Sequence, residues 1–135
     1  MAVQMGVLTR NARLDAIETL IGTSAVLTIS TLAQAANCAT ADTGAVLASI
    51  TLPSDWLAAA SGGTKAIANA PWSVASATGT GTAGHFRISK AGVGEIQGSI
   101  TTTAVGTGDM LLDNTSIITG QTVQISAFTL TDANA

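Results

Sequence analysis

TRNARLDAIETLIGTSAVLTISTL, residues 9–32, holds the one convincing helical pattern of the chain and runs directly into a strand. Leu14, Ile17 and Ile21 recur at helical spacing, Ala16 and Leu20 fill out the same broad face, and Arg10, Arg13, Asp15 and Glu18 carry the charge. The spacing predicts an amphipathic helix over 9–22 with one face made for burial. A side-chain oxygen of Thr9 or Asn11 can cap its start, and Gly22 suits the left-handed position just past its end. From Ala25 to Thr31 the chain is too rich in Val, Ile and Thr to prolong a helix, so a strand follows at once.

Downstream the period changes to two. Residues 33–43 are small and polar, with Asn37, Asp42 and Gly44 as turn formers, and read as a loop. Val46, Ala48, Ile50 and Leu52 then alternate with Leu47, Ser49 and Thr51 in a half-buried strand that Pro53 ends. Residues 54–60 fit either one helical turn capped by Ser54 or a short irregular strand. After a turn at Ser61-Gly62-Gly63, residues 65–69 form a weak strand, and Pro71 separates it from 72–77, where Trp72 and Val74 share a face.

Phe86 and Ile88 alternate with His85, Arg87 and Ser89, and beyond a turn at 90–94 Ile96, Gly98 and Ile100 alternate with Glu95, Gln97 and Ser99. That pair predicts a β-hairpin whose polar face, His85 included, meets solvent. A loop at 101–108, a short strand at 110–112 and a turn after Ile117-Ile118 lead to a last strand over 123–131. In it Val123 and Ile125 fall out of phase with Phe128 and Leu130, and one extra residue near Ser126 or Ala127, a β-bulge, would bring all four to the core. Seven or eight short strands after one helix predict a mainly β, antiparallel sandwich over 25–131. With the helix it would make a single domain over 9–135, behind an uncharged N-terminal arm at 1–8.

A chain of 135 residues is one domain by size and buries roughly 70% of the surface its unfolded form exposes, enough for a core without staples. The single cysteine, Cys38, leaves no internal disulfide, which fits synthesis in a reducing cytoplasm; it reads as an inert small hydrophobe. Only 10% of residues are charged, where soluble proteins carry about 25%, so Thr, Ser, Ala and Gly must make the surface. With a mean hydropathy of +0.46, such a surface favours partners that cover part of it, the plain alternative being a neutral Ala/Thr-rich monomer. A net charge of −3 argues against a nucleic-acid partner, which a basic face would attract.

No apolar run reaches the ~18 residues of a membrane span, because Thr23, Ser24, Thr28, Ser30 and Thr31 interrupt the best candidate. A cleaved leader with Arg10 and Arg13 as its basic end and Ala33-Gln34-Ala35 as its cleavage site competes for the same stretch. Asp15 and Glu18 stand where such a peptide carries no acid, and the helical reading is preferred.

Residues 79–84, GTGTAG, spell G-x-G-x-x-G, but they run into a strand where a dinucleotide site needs a helix N-terminus, so no cofactor is expected. One histidine and one cysteine cannot assemble a structural zinc set. A hydrolytic triad would have to recruit His85 with Asp109 or Asp113, and no nucleophile elbow is present. Asp109 and Asp113 flank Met110-Leu111-Leu112 at a spacing that would align them on a strand as, at most, a weak cation site. No catalytic residue is assigned.

Four residues are candidates for an interface. Arg10 and Arg13 lie three apart on one helix face and either pair locally with Asp15 and Glu18 or meet an acidic partner. Trp56 and Trp72, the largest apolar groups in the chain, read as core anchors or, if exposed, as interface markers.

RNARLDAIETLIGTSAVLTI at 10–29, LPSDWLAAASGG at 52–63 and NTSIITGQTVQISAFTLT at 114–131 together resemble a family of small proteins encoded among the head genes of tailed bacteriophages and prophages. The resemblance implies a non-enzymatic virion component, made in the host cytoplasm, that decorates or cements the outer face of the head. The implied partner is the major capsid protein, and the implied state a homo-oligomer, dimer or trimer. A jelly roll is the form of sandwich common among virion proteins. A tail, fibre or adhesin-like virion module is the alternative reading, and a small binding or hydrolytic enzyme a second one.

Overall fold

Past Gly22, β-branched and hydroxyl side chains fit the pleated, half-buried surface of a sheet better than the crowded turns of a helix. The computed structural model, which describes residues 3–133, accordingly turns from helix to strand there. Among the described residues, α1 (Val7–Ile21) is followed by β1 (Val26–Ser30), β2 (Val46–Thr51), β3 (Thr64–Ala66), β4 (Ser73–Val74), β5 (Gly81–Thr82), β6 (His85–Lys90), β7 (Val93–Thr102), β8 (Met110–Leu112), β9 (Ser116–Ile117) and β10 (Val123–Thr131). Strands hold 39% of the described residues and helix 11%, so the described protein is mainly β with one helix.

The main sheet runs β2-β1-β6-β7-β8-β10-β3, with β4 also on β10, and β5 pairs with β9 apart from it. The expectation of purely antiparallel pairing fails at one place: β7 and β8 are parallel, Ile100 opposite Met110. The chain reverses twice within 103–109 to achieve this, and Gly108 lies so close to Thr101 that a Cβ would stand 2.6 Å from the Thr101 nitrogen. Only glycine allows that approach. The two ends of the sheet are also bridged. β4 pairs with β10 at one end, and the segment after it reaches β2 at the other, where the N–H groups of Thr78 and Gly79 both donate to the Leu47 carbonyl.

Three register shifts interrupt the ladders: one in the hairpin of β6 and β7, where Glu95 is the extra residue between Ile88↔Ile96 and Ser89↔Gly94, and two that set which apolar side chains face inward. The expected one is present: the register steps from Ile125↔Leu112 to Ala127↔Leu111, so Ser126 is the extra residue and Phe128 joins Val123 and Ile125 in the core. The other was not read from the sequence. Ile29 opposes Ala48 and Ser30 opposes Val46, which leaves Leu47 without a partner and buries it beside Ala48, while Val46 turns outward. The simple alternation from Val46 to Leu52 therefore breaks at its first residue.

Trp56, Trp72, Phe128 and Phe86 form a continuous aromatic chain through the core, with ring centroids 6.0, 5.9 and 5.3 Å apart. Tilted and edge-on pairs of this kind contribute about 0.5–1.5 kcal/mol each beyond the area they bury. Both indoles find an acceptor, Trp56 Nε1 at the Gly22 carbonyl and Trp72 Nε1 at the Ala68 carbonyl, 3.1 Å each.

The helix differs from expectation at its start. It begins at Val7, with Gly6 as an N-cap that makes no side-chain bond, so Thr9 and Asn11 lie inside it and cap nothing. Residues 7 and 8, read as part of an arm, are helical, and residues 1, 2, 134 and 135 lie outside the described residues. Gly22 closes the helix as expected at φ +84°, its N–H donating to the Glu18 carbonyl. Residues 54–60 form neither a helical turn nor a regular strand; Leu57 makes an isolated bridge to Ile67.

Candidate functional site

Positions 11, 15, 18 and 22 follow one another along a single stripe of an α-helix. Here they are Asn11, Asp15, Glu18 and Gly22, and each offers an oxygen to the irregular segment beside β3. Asn11 Oδ1 accepts the N–H of Gly63, Asp15 Oδ1 that of Ala60, Glu18 Oε1 that of Leu57, and the Gly22 carbonyl the Trp56 indole. The helix thus supplies the acceptors that 56–63 lacks as an irregular stretch.

Lys65 closes this clasp. Its side chain keeps 2% of its surface, and Nζ donates to Asp15 Oδ1 at 2.6 Å and to the Ala58 carbonyl at 2.8 Å, with Glu18 Oε2 at 2.9 Å. The Lys65 hydrogen bond, with help from the Ala60 N–H, holds the Asp15 carboxyl below its usual range. Burial pulls the Lys65 ammonium down, but the hydrogen bonds to Asp15 and then Glu18 outweigh it, and the net direction is up.

Arg10 and Arg13 do not pair with Asp15 and Glu18. Arg10 Nη1 donates to the Asp132 carbonyl at 3.0 Å and Arg13 Nε meets the Asp132 carboxylate at 3.3 Å, so both tie the segment after β10 to the helix. Trp56 and Trp72 are buried, which corrects their reading as interface markers and leaves them as core anchors. Of the four interface candidates, only Arg13 keeps substantial surface.

His85 is a second correction. It was expected on a solvated face and is instead buried, because residues 31–45 cross over that face of β6 and β7. Its Nδ1 lies 2.9 Å from the Leu32 carbonyl and its Nε2 2.7 Å from Asp42 Oδ1. Beside it Arg87, also buried, donates to the Thr40 carbonyl and to Gln97 Oε1, while Gln97 Nε2 donates to the Ala35 carbonyl. Asp109 and Asp113 are not brought together: Asp109 accepts from Ser99 and Asp113 from Ser126. Among the described residues no cluster of His, Cys, Asp or Glu is arranged to hold a metal ion. Gly79 and Gly84 serve close backbone packing, against Val46 and Leu32.

What remains outward is apolar. Leu8, Ala12, Ala16 and Leu20 recur every fourth residue along the side of α1 away from Leu14, with Leu8 81% and Leu20 61% exposed. Ala16 and Leu20, expected to join the buried face, therefore lie outside it. Val3, Leu32, Val93, Val105 and Ile118 are exposed elsewhere. Comparison of the chain with protein-family models, with curated proteins and with solved structures gave no match.

Proposed function

We propose that the protein is a capsid decoration or cement protein of a tailed phage, bound to the outer face of the head through the major capsid protein, acting as a dimer or trimer and without catalysis. The observation that carries this reading is the use the chain makes of its charge. All five basic side chains are engaged inside the molecule: Arg10 and Arg13 with Asp132, Lys65 with Asp15 and Glu18, Arg87 with Thr40 and Gln97, and Lys90 with the Leu20 carbonyl. The surface left for partners is hydroxyl-rich and apolar, with several large aliphatic groups in water. Such a surface binds by shape and apolar burial. The resemblance of 10–29, 52–63 and 114–131 to head-encoded virion proteins supplies the partner, and a sandwich of jelly-roll type is the finer fold attached to this proposal.

Copies bound at neighbouring capsid sites would strengthen one another, because each bound contact raises the effective concentration of the next. The test is to add purified protein to heads that lack it and measure co-sedimentation and added density. Saturable binding to the outer surface is expected. Absence from heads with binding to tails would overturn it in favour of a tail or fibre module.

A further inference from the structure

Helix α1 is apolar on two opposite sides. Leu14, Ile17 and Ile21 face the body, while Leu8, Ala12, Ala16 and Leu20 face away from it, all four exposed. A helix on the surface of an isolated domain carries polar groups on its outer side, so a second apolar side calls for a cover.

The order of residues along this side sets what fits it. Residues at a spacing of four form a ridge inclined about 26° to the helix axis, and two such ridges interlock when the helices cross at about −50°. Crossed helices are closest at one point and diverge from it. The midpoint of α1 is Leu14; the small Ala12 and Ala16 straddle that level, and the long Leu8 and Leu20 lie towards the two ends, where the space between crossed helices opens. The short side chains leave a shallow hollow lined by Ala12, Asp15, Ala16, Thr19 and Leu20, which a second helix backbone can approach closely. A profile that is small at the centre and large at the ends is complemented by a copy of itself.

Charge fixes the direction. At 3.6 residues per turn, Arg13 and Asp15 fall about 80° to either side of the line through Ala12 and Ala16. Arg13 keeps 55% of its side-chain surface, with Nε on Asp132 and Nη1 on the Met5 sulfur. Asp15 keeps 48%, with Lys65 and the Ala60 N–H both on Oδ1. Nη2 of Arg13 and Oδ2 of Asp15 have no partner among the described residues. In a twofold pair with the helices running parallel, opposite flanks meet, and Arg13 of each copy faces Asp15 of the other. With the helices antiparallel, Arg13 would face Arg13 and Asp15 would face Asp15, and like charges repel.

We propose that the outer face of α1 is the surface through which two copies of this chain pair, helix against helix and parallel about a twofold axis. Ala12 and Ala16 meet at the crossing, Leu8 and Leu20 close the ends, and two reciprocal Arg13–Asp15 ion pairs flank the contact. The ion pairs are exposed, so they select the orientation and add little strength; burial of the apolar side chains supplies it. A contact of one helix pair is smaller than a permanent dimer interface, and a Kd of about 1–100 μM is expected. The inference shares with the capsid reading only the expectation of an oligomer, which it narrows to a dimer with a named surface.

Sedimentation equilibrium of the purified chain from about 1 μM to about 1 mM tests the pairing with no phage head present, so its failure is separate from a failure to bind heads. The wild type should pass from monomer to dimer over that range. Ala16→Glu, at an exposed helix position, should keep the wild-type Tm and weaken pairing at least about tenfold, because it holds the helices apart at their crossing. In a Cys38→Ser background, Ala16→Cys faces its own mate and should form a disulfide-linked dimer on mild oxidation, whereas Val105→Cys, exposed away from the helix, should not. A mixture of Ala12→Cys and Ala16→Cys should give the self-linked dimers ahead of the mixed one, which an antiparallel pair would favour instead. A wild type that stays monomeric up to about 1 mM would overturn the proposal and leave this face to another partner. So would an Ala16→Glu variant that pairs as tightly as the wild type, or a mixed link that forms ahead of the self-linked ones. If Ala16→Glu folds poorly, the cysteine variants decide the matter.

Discussion

Replacing Lys65 by methionine keeps the aliphatic stem of a buried side chain and removes only its ammonium. Three contacts go with it, to Asp15, Glu18 and the Ala58 carbonyl. Removing one partner of a buried pair costs about 3–5 kcal/mol, because the remaining charge is left without compensation. Here the carboxylates are better placed than in a sealed core, since the Asp15 side chain keeps 48% of its surface and that of Glu18 20%. Water recovers part of the loss, and the expected cost of the variant falls to about 2–3 kcal/mol. For a domain of this size that lowers Tm by roughly 8–10 °C. Thermal and urea unfolding followed by circular dichroism would measure it. Adding Asp15→Asn and Glu18→Gln removes the stranded charges and should restore part of the loss. An unchanged or raised Tm in Lys65→Met, or a triple variant less stable than the single one, would refute the view that this clasp docks the helix.

Leu14 is buried on the inner side of α1, so Leu14→Asp should leave a carboxylate without a partner there and abolish soluble expression; a Tm equal to the wild type would mean that the helix does not pack on the body. The clasp also sets a pH window: Asp15, held low by Lys65, contributes stability above the ordinary carboxylate range that is lost as pH falls through it. Lys65, held high, contributes stability at neutral pH that is lost only above the ordinary lysine range. Protection of the α1 amides should therefore be flat across neutral pH and fall below about pH 4, and the acid fall should be smaller in Lys65→Met, where only the Ala60 N–H still favours the Asp15 carboxylate. Leu8→Ser with Leu20→Ser should leave Tm within about 0.5 kcal/mol of stability and weaken association in ultracentrifugation.

The helix, the hairpin of β6 and β7, the last strand and its bulge were legible because each is a local pattern: a spacing, an alternation, a break in phase. What covers each face was not. Alternation correctly placed His85, Arg87, Gln97 and Ser99 on one side, but the segment lying over that side comes from between β1 and β2, and nothing local encodes the contact. The same limit offered Asp15 and Glu18 as local partners of Arg10 and Arg13, although Asn11, Asp15 and Glu18 on one stripe are a signal that a polar partner from elsewhere was waiting. Lys65 sits in a strand of three residues, too short for its alternation to show that it points inward. The bulge at Leu47 is invisible because Leu47 and Val46 are equally apolar, so neither phase is penalised in the sequence. Of the interface candidates, Trp56 and Trp72 could not be placed without the fold, since an aromatic serves a core and an interface by the same burial.

The most direct measurement of the proposed role is the rupture temperature of heads with and without the protein, with purified protein added back at low and high salt. A ligand that binds only the assembled shell stabilises it by mass action, so heads lacking the protein should rupture at lower temperature and recover on add-back. Because each basic side chain already has a partner within the molecule and only 10% of residues are charged, recovery should be the same at both salt concentrations. Identical rupture with and without the protein would contradict the cement reading.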